Sequence, residues 1–282
     1  MLKINLTNKI KTTQQIKKHT SSIITTRVKD NSKKVVNSNF FQKIKKILGF
    51  RKKLTPKSFA PKVKSAKRPY YASRDSVAQS NNYVKHNFIS SREKIIDGFK
   101  DGGRNCKFSQ FGDAISSSRE IIVVNKEYDE YLMNAINYAK KNTEGMNEKE
   151  KMNFLFKIVK EISGDPLRGD RRSTILAQNA NGGEGLLGNF FKHEFATCRH
   201  KSLMYKILAD EVGLNVRLIR GMAFDLQGFG GHAWNEVVLQ DGKRMLVDIQ
   251  NSHLINVATK RKINKEILAG YFFDNKQPVY KV

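Results

Sequence analysis

Cysteine, proline and tryptophan are scarce in this sequence. The 282-residue chain holds five prolines, one tryptophan and two cysteines, Cys106 and Cys198. Two cysteines are too few for a disulfide framework, so we expect a reducing compartment and a fold stabilised by packing. The sequence also has no run of 18 apolar residues. A membrane-spanning helix is therefore not expected.

A secretory signal peptide is not expected either. The first 25 residues scatter lysines among polar residues and contain no apolar core and no small-residue cleavage site. Two locations stay open on this basis. The protein is either cytoplasmic, or it is secreted without a signal peptide as a bacterial effector that enters the cytosol of a target cell.

Acidic residues are almost absent from the start of the chain. Residues 1–74 contain 21 of the 52 Lys and Arg residues but a single acidic residue, Asp30. A segment this polar and this charged buries too little apolar surface to offset the entropy lost on ordering. We expect a basic, mostly disordered tail over 1–74 and a folded domain over 75–282.

One segment of the tail has a helical pattern. Its apolar residues share one face of a short basic amphipathic helix, at Phe40, Ile44, Ile47 and Leu48. Two interpretations stay open: a solvated tail, or a docking segment for an acidic membrane surface or for a secretion or loading partner. The tail lacks zinc-finger spacing, an RNA-binding aromatic motif and a continuous basic helix, so no specific nucleic-acid partner is expected.

The first half of the domain contains helix and strand signals. Apolar spacing predicts a helix over Lys126–Lys141, with Tyr128 on its apolar face, and a second helix begins with a capping box of Asn147 and Glu150. The preceding region is mixed, with a short helix predicted at Ser90–Glu93 and a strand at Glu120–Val124. The Gly- and Asn-rich stretch between Gly164 and Thr197 is typical of a binding loop or lid.

The stretch Thr197–Asp248 holds a thiol, an imidazole and a carboxylate in chain order, at Cys198, His232 and Asp248. A cysteine nucleophile needs these three groups: the thiol attacks, the histidine takes its proton, and the carboxylate orients the histidine. Apolar spacing predicts a helix that starts at Cys198, with Thr197 as N-cap and Gly213 as C-cap. The first turn of a helix lowers a thiol pKa from about 8.5 into the range of roughly 3.5–7.5.

The imidazole and the carboxylate meet only in one hairpin register. Strands are predicted at Asn215–Arg220, His232–Leu239 and Lys243–Ile249, with a loop at Ala223–Gly231. A two-residue turn at Asp241-Gly242 would send His232 and Asp248 to opposite faces. A three-residue turn with a left-handed Gly242 places Asp248 opposite Trp234, with His232 diagonally beside it. The catalytic hypothesis therefore requires a bulge at Gly242.

The motifs in this stretch resemble the transglutaminase-like cysteine fold, in the version found in the N-terminal region of plant Raf-like kinases and in bacterial relatives. They are Cys198-Arg199-His200-Lys201-Ser202-Leu203, Gly231-His232-Ala233-Trp234-Asn235 and Leu246-Val247-Asp248. The resemblance is clearest over 194–250. It implies an α+β fold with a papain-like core, in which the nucleophile helix packs on an antiparallel sheet.

The resemblance implies Cys198 as nucleophile, His232 as base and Asp248 as orienting acid, and favours glutamine side chains of a protein substrate. Deamidation, transglutamination and peptide or amide cleavage stay open, as does a non-catalytic binding module. No cofactor is implied. Candidates for the substrate channel or the second oxyanion donor are Trp234, Gln178, Asn189 and His193. A metal site built from Cys198, His200, His193 and His253 has no recognisable ligand spacing.

Overall fold

A computed structural model of the protein describes residues 72–117, 119–164, 183–225 and 228–281. The predicted tail helix at residues 40–48, Gln178 and most of the predicted lid fall outside these residues. The fold is α+β, as predicted, with six helices and nine strands in the described residues. No helix among them is long and apolar enough to cross a membrane.

The helices are α1 (Arg74–His86), α2 (Glu130–Thr143), α3 (Glu148–Ile162), α4 (Leu187–Lys192), α5 (Cys198–Glu211) and α6 (Lys262–Leu268). The strands are β1 (Phe88–Ile89), β2 (Lys100–Asp101), β3 (Ile121–Val123), β4 (Glu184–Leu186), β5 (Val216–Asp225), β6 (Gly228–Val238), β7 (Arg244–Asp248), β8 (His253–Asn256) and β9 (Tyr271–Phe272).

The larger of the two sheets is antiparallel and contains six strands. Its order is β1-β5-β6-β7-β8, and β9 also pairs with β5. β1 lies opposite Leu218 and Ile219, whereas β9 lies opposite Met222 and Ala223, so these two short strands follow one another along β5. Trp234 packs there in a buried cluster with residues from the neighbouring strands and the C-terminal segment, among them Ile219, Leu246, Leu268, Tyr271 and Tyr280.

The smaller sheet has three strands, β2-β3-β4. β3 runs antiparallel to β2 and parallel to β4. All three residues of β3 are buried. Helix α5 packs against β5 and β6 of the larger sheet and against α2 and α3. Its position between these elements makes it the central helix of the described fold.

The helix predictions are confirmed in part. The capping box at the start of α3 is present, with the Glu150 backbone N–H donating to Asn147 Oδ1 at 3.0 Å and the Asn147 N–H donating to Glu150 Oε2 at 2.9 Å. Helix α2 starts at Glu130, later than predicted, because the Asp129 carboxylate caps it by accepting from the Leu132 N–H at 3.0 Å. Tyr128 precedes this cap and is 57% exposed, so its predicted core position is wrong.

Three further predictions are corrected. Ser90–Glu93 forms a turn and not a helix, closed by the Glu93 N–H on the Ser90 carbonyl at 3.2 Å. Residues 184–192 of the predicted lid form β4 and α4 because their leucine and phenylalanine side chains are buried. The predicted loop Ala223–Gly231 is largely strand, since the backbones of β5 and β6 pair as far as Asp225 and Gly228.

Candidate functional site

Cys198 is the first residue of α5, as predicted. Cys198 is half-buried. Thr197 precedes it as N-cap with an extended backbone. N–H groups in the first turn of a helix have no intrahelical acceptor, and the positive end of the helix dipole lies there. This setting favours the thiolate form of a cysteine.

The hairpin of β6 and β7 has the register that the catalytic hypothesis requires. Asn235 pairs with Val247 and Val238 pairs with Arg244, so the connecting loop is one residue longer than a two-residue turn. Gly242 has a φ of 75°, in the left-handed region. Its N–H donates to the Leu239 carbonyl at 2.9 Å, and the Leu239 N–H donates to the Lys243 carbonyl at 2.9 Å. The predicted bulge at Gly242 is confirmed.

This register brings the imidazole and the carboxylate into contact. His232 Nε2 lies 2.6 Å from Asp248 Oδ2, and both residues are buried. Burial alone would lower the pKa of His232, but the charge and the hydrogen bond of Asp248 raise this pKa well above its usual value. Burial would raise the pKa of Asp248, but His232 and the other donors hold this pKa well below its usual range. The contact between the two side chains therefore favours the charged form of each.

Cys198 also interacts with His232. Nε2 is engaged by Asp248, so Nδ1 is the nitrogen left for another partner. Within the described part of the chain, Nδ1 is buried without a standard hydrogen-bond partner. Cys198 adds to the raised pKa of His232 through a hydrogen bond and through charge. Asp248, through a hydrogen bond, and Cys198, through its effect on the pKa, thus both act on the imidazole of His232.

Asp248 has two further neighbours that the sequence did not reveal. Tyr271 donates its hydroxyl hydrogen to Asp248 Oδ2 at 2.6 Å, and Asn251 Nδ2 donates to the same oxygen at 3.0 Å. The Asn251 N–H donates to Oδ1 at 3.1 Å. Behind them, His253 Nδ1 lies 2.9 Å from the Tyr271 hydroxyl. The one available signal was the Asp-x-x-Asn spacing of a turn, which would have found Asn251.

Arg199, next to the candidate nucleophile, fastens the start of α5 to the smaller sheet. Its Nε donates to Asp101 Oδ2 at 3.2 Å and its Nη1 donates to Glu120 Oε1 at 3.2 Å. Its Nη2 donates to the Asp101 carbonyl at 2.6 Å. All three residues are buried. The guanidinium therefore fixes the turn that carries the thiol.

His200 points away from the thiol, as expected from its helical position. Its Nδ1 accepts from the Thr197 backbone N–H at 3.1 Å, which is a helix-capping contact. Its ring also packs on Phe190, with ring centroids 4.2 Å apart. His200 is fully buried. Because His200 faces Thr197, and His253 faces Tyr271, the alternative metal site is not assembled in the described residues.

Three of the remaining predicted site residues, Trp234, Asn189 and His193, lie in the part of the chain that the structure describes, and Gln178 does not. Trp234 is fully buried, stacks on His232 with ring centroids 6.0 Å apart and donates from Nε1 to the Tyr280 hydroxyl at 3.1 Å. It is a packing partner of the base and does not line an open channel. Asn189 is exposed on α4, and His193 follows that helix with its ring stacked on Phe195 at 6.3 Å. Their roles as oxyanion donors stay predictions, as does that of Gln178.

This geometry agrees with the comparison to known protein families. The family model described as EDR1/CTR1/ARMC3, peptidase-like, matches residues 105–252, which is more than half of the 282-residue chain. The match includes all three residues of the contact and confirms the resemblance to the segment of plant Raf-like kinases. No curated protein matches the chain. The chain belongs to the EDR1/CTR1/ARMC3 peptidase-like family.

Proposed function

We propose that the protein is a papain-like, thiol-dependent amide hydrolase or acyltransferase with Cys198 as nucleophile, His232 as acid and base, and Asp248 as orienting carboxylate. One observation carries this proposal. The hairpin register places His232 Nε2 2.6 Å from Asp248 Oδ2, and the histidine also interacts with the half-buried thiol at the start of α5. These interactions support a thiolate paired with an imidazolium.

In the first step, the Cys198 thiolate attacks the carbonyl carbon of an amide, and a carbon–sulfur bond forms while the carbonyl electron pair moves to oxygen. N–H groups in the first turn of α5 are suitable donors for that oxyanion. The electron pair then returns and the carbon–nitrogen bond breaks. His232 gives its Nδ1 proton to the departing nitrogen, so an amine or ammonia leaves and a thioester remains.

In the second step, His232 accepts a proton from water or from an amine as that nucleophile attacks the thioester carbon. The carbon–sulfur bond breaks and the thiolate re-forms beside the imidazolium. Asp248 keeps the ring in the orientation that both steps need, and its negative charge stabilises the protonated ring. Water as acceptor gives hydrolysis, and an amine gives acyl transfer.

The glutamine side chain of a protein is the substrate that we favour, giving deamidation or transglutamination. The resemblance to transglutaminase-like enzymes supports this choice. A peptide bond is the second candidate, because the family is described as peptidase-like. Both substrates present an amide carbonyl to the same thiol, so the products distinguish them.

The test uses mass spectrometry of a protein mixture incubated with the full-length enzyme and a primary alkylamine. A Gln-to-Glu change, an alkylamine adduct at glutamine and a cleaved backbone identify deamidation, transglutamination and proteolysis respectively. We expect Cys198→Ala to lower the product yield by about 10³-fold or more and to remove labelling by iodoacetamide at this position.

Cys106→Ala is the matched control, because Cys106 is a buried cysteine that the mechanism does not use. This variant should keep both activity and labelling. Products that persist undiminished in Cys198→Ala would refute the proposed nucleophile. A correctly folded wild-type protein whose Cys198 shows no enhanced reactivity would instead support a binding module.

A further inference from the structure

The Asp248 carboxylate is held by more donors than a catalytic triad requires. Its Oδ2 accepts from His232 at 2.6 Å, from the Tyr271 hydroxyl at 2.6 Å and from Asn251 Nδ2 at 3.0 Å. Its Oδ1 accepts from the Asn251 N–H at 3.1 Å. An ionised carboxylate accepts hydrogen bonds and donates none, so each of these partners must be the donor.

The direction of these bonds also determines the direction of the hydrogen bond between His253 and Tyr271. Because the hydroxyl hydrogen of Tyr271 goes to Asp248, the hydroxyl oxygen can only accept from His253 Nδ1, which lies 2.9 Å away. His253 is half-buried, whereas Tyr271 is 2% exposed. A directed row of hydrogen bonds thus runs from His253 through Tyr271 to Asp248.

We propose that Tyr271, supported by His253, is a positioning residue. It fixes the Asp248 carboxylate and limits how strongly this carboxylate stabilises the protonated ring of His232. The inference rests on the proposed function. Three donors share Oδ2, from His232, Tyr271 and Asn251, and the short bond from the Tyr271 hydroxyl withdraws negative charge from the oxygen that binds His232. His232 must give up its Nδ1 proton to the leaving nitrogen, and a carboxylate with undiminished charge beside Nε2 would hold the ring in its protonated form.

The charged and titratable groups around His232 come from four parts of the fold. Asp248 approaches from β7, Cys198 from α5 and Tyr271 from β9. Arg104 Nη2 lies 3.4 Å from the position that a Cβ atom on Gly231 would occupy. The same nitrogen pairs with Asp274 Oδ1 at 2.7 Å. Among these groups, Tyr271 donates to the same Asp248 oxygen that binds His232. Its hydroxyl oxygen can be removed without changing the ring.

The Tyr271 ring also has a packing role that the experiment must separate from its hydroxyl. The ring makes edge contacts with Trp234 at 5.0 Å and with Tyr280 at 6.0 Å. Tyr271→Phe keeps this ring and removes only the hydroxyl. Tyr280→Phe is a matched control, because Tyr280 is equally buried and its hydroxyl bonds to Trp234 at 3.1 Å, away from Asp248.

The experiment follows the ring carbon of His232 by NMR as a function of pH, in full-length protein labelled at histidine. In the wild-type protein, the midpoint should lie well above pH 6.5, because the pKa of His232 is raised by Asp248. Tyr271→Phe should raise the midpoint further, by about 0.5–1 pH unit. His253→Ala should raise it by less, and Tyr280→Phe should leave it unchanged.

An unchanged or lowered midpoint in Tyr271→Phe would overturn the inference, as would an equal shift in Tyr280→Phe. The titration needs no substrate turnover, so it is independent of the proposed reaction. Failure of the proposed function would appear instead as product formation that survives Cys198→Ala, with the titration shifts still present. The two failures are therefore distinguishable.

Discussion

Two buried histidines near the start of α5 have pKa values shifted in opposite directions, although a carboxylate lies near each; Glu120 Oε1 is 3.7 Å from His200 Nε2, beyond hydrogen-bond distance. His232 faces the Asp248 carboxylate, so its pKa is raised well above the usual value despite burial. His200 accepts from the Thr197 N–H and is fully buried, and burial lowers its pKa well below the usual value. The cations of Arg199, Arg119 and Lys201 lower it further. One imidazole is therefore prepared for proton transfer, and the other is a neutral helix cap.

The neutral state of His200 predicts a loss of stability in acid. Below pH 6.5 the unfolded chain binds a proton at this histidine that the folded protein does not bind, so the free energy of unfolding falls as pH falls. Glutamine is the preferred capping residue at this helix position. Between pH 7 and pH 5.5, the free energy of unfolding should fall in both proteins. We expect the fall in His200→Gln to be about 1 kcal/mol smaller than in the wild-type protein.

Urea unfolding at the two pH values measures this difference. His86→Gln is the control, since His86 is exposed at the end of α1. That variant should lose as much stability in acid as the wild-type protein does. A His200→Gln protein with the full wild-type loss would show that His200 does not carry this acid sensitivity.

At the residue scale, the sequence was sufficient to place the three candidate catalytic residues on their helix and hairpin, and insufficient for the residues that support them. Cys198, His232 and Asp248 could be predicted because each falls at a fixed place in a helix or hairpin. Tyr271 could not, because it is 23 residues from Asp248 and comes from a two-residue strand that pairs with β5. Local patterns carry no information on such a contact.

At the element scale, turn chemistry determines the site. The three-residue loop that ends at the left-handed Gly242 sets the register of β6 and β7. One residue fewer would place His232 and Asp248 on opposite faces. This register could be predicted because glycine is the residue that accepts a positive φ at low cost. Helix α1 and the two-residue strands could not, since their sequences lack a clear apolar period.

At Gly221, β5 lies close to β9, the strand that carries Tyr271. A Cβ atom at Gly221 would lie 2.0 Å from the Phe272 carbonyl oxygen and 2.9 Å from the Trp234 ring. Neither the backbone nor the buried indole can move away easily. We expect Gly221→Ala to lower the free energy of unfolding by about 1–3 kcal/mol or more, as overpacked core variants do.

Gly230 lies in the opposite strand of the same hairpin, and a Cβ atom there would meet nothing within 4 Å. Gly230→Ala should therefore change stability by less than about 0.5 kcal/mol. Chemical denaturation of both variants tests the close approach of β9. Equal stability of the two proteins would contradict it.

At the scale of the whole molecule, the site joins parts of the chain that are distant in sequence. α5 supplies the thiol, the β6–β7 hairpin supplies the imidazole and the carboxylate, and β9 supports that carboxylate. The α+β class could be predicted from the mixture of helical and alternating patterns. The strand order could not, because β1 and β9 share one edge of β5 through long-range pairing.

The basic segment over 1–74 lies almost entirely outside the described residues. This segment is strongly basic, whereas the remaining chain contains nearly balanced numbers of basic and acidic residues. A role in docking to an acidic membrane or to a secretion or loading partner stays a prediction, as does delivery into a target cell. The catalytic proposal does not depend on either.

The rate of Cys198 alkylation by iodoacetamide as a function of pH, followed by mass spectrometry, tests the ion pair of Cys198 and His232 most directly. We expect the wild-type thiol to react rapidly at pH values far below the usual cysteine pKa of about 8.5, because the protonated His232 stabilises the thiolate. In His232→Ala, the midpoint should move up towards that usual value, and the helix N-terminus alone keeps it somewhat below. A wild-type profile with its midpoint near pH 8.5, unchanged by His232→Ala, would contradict the account.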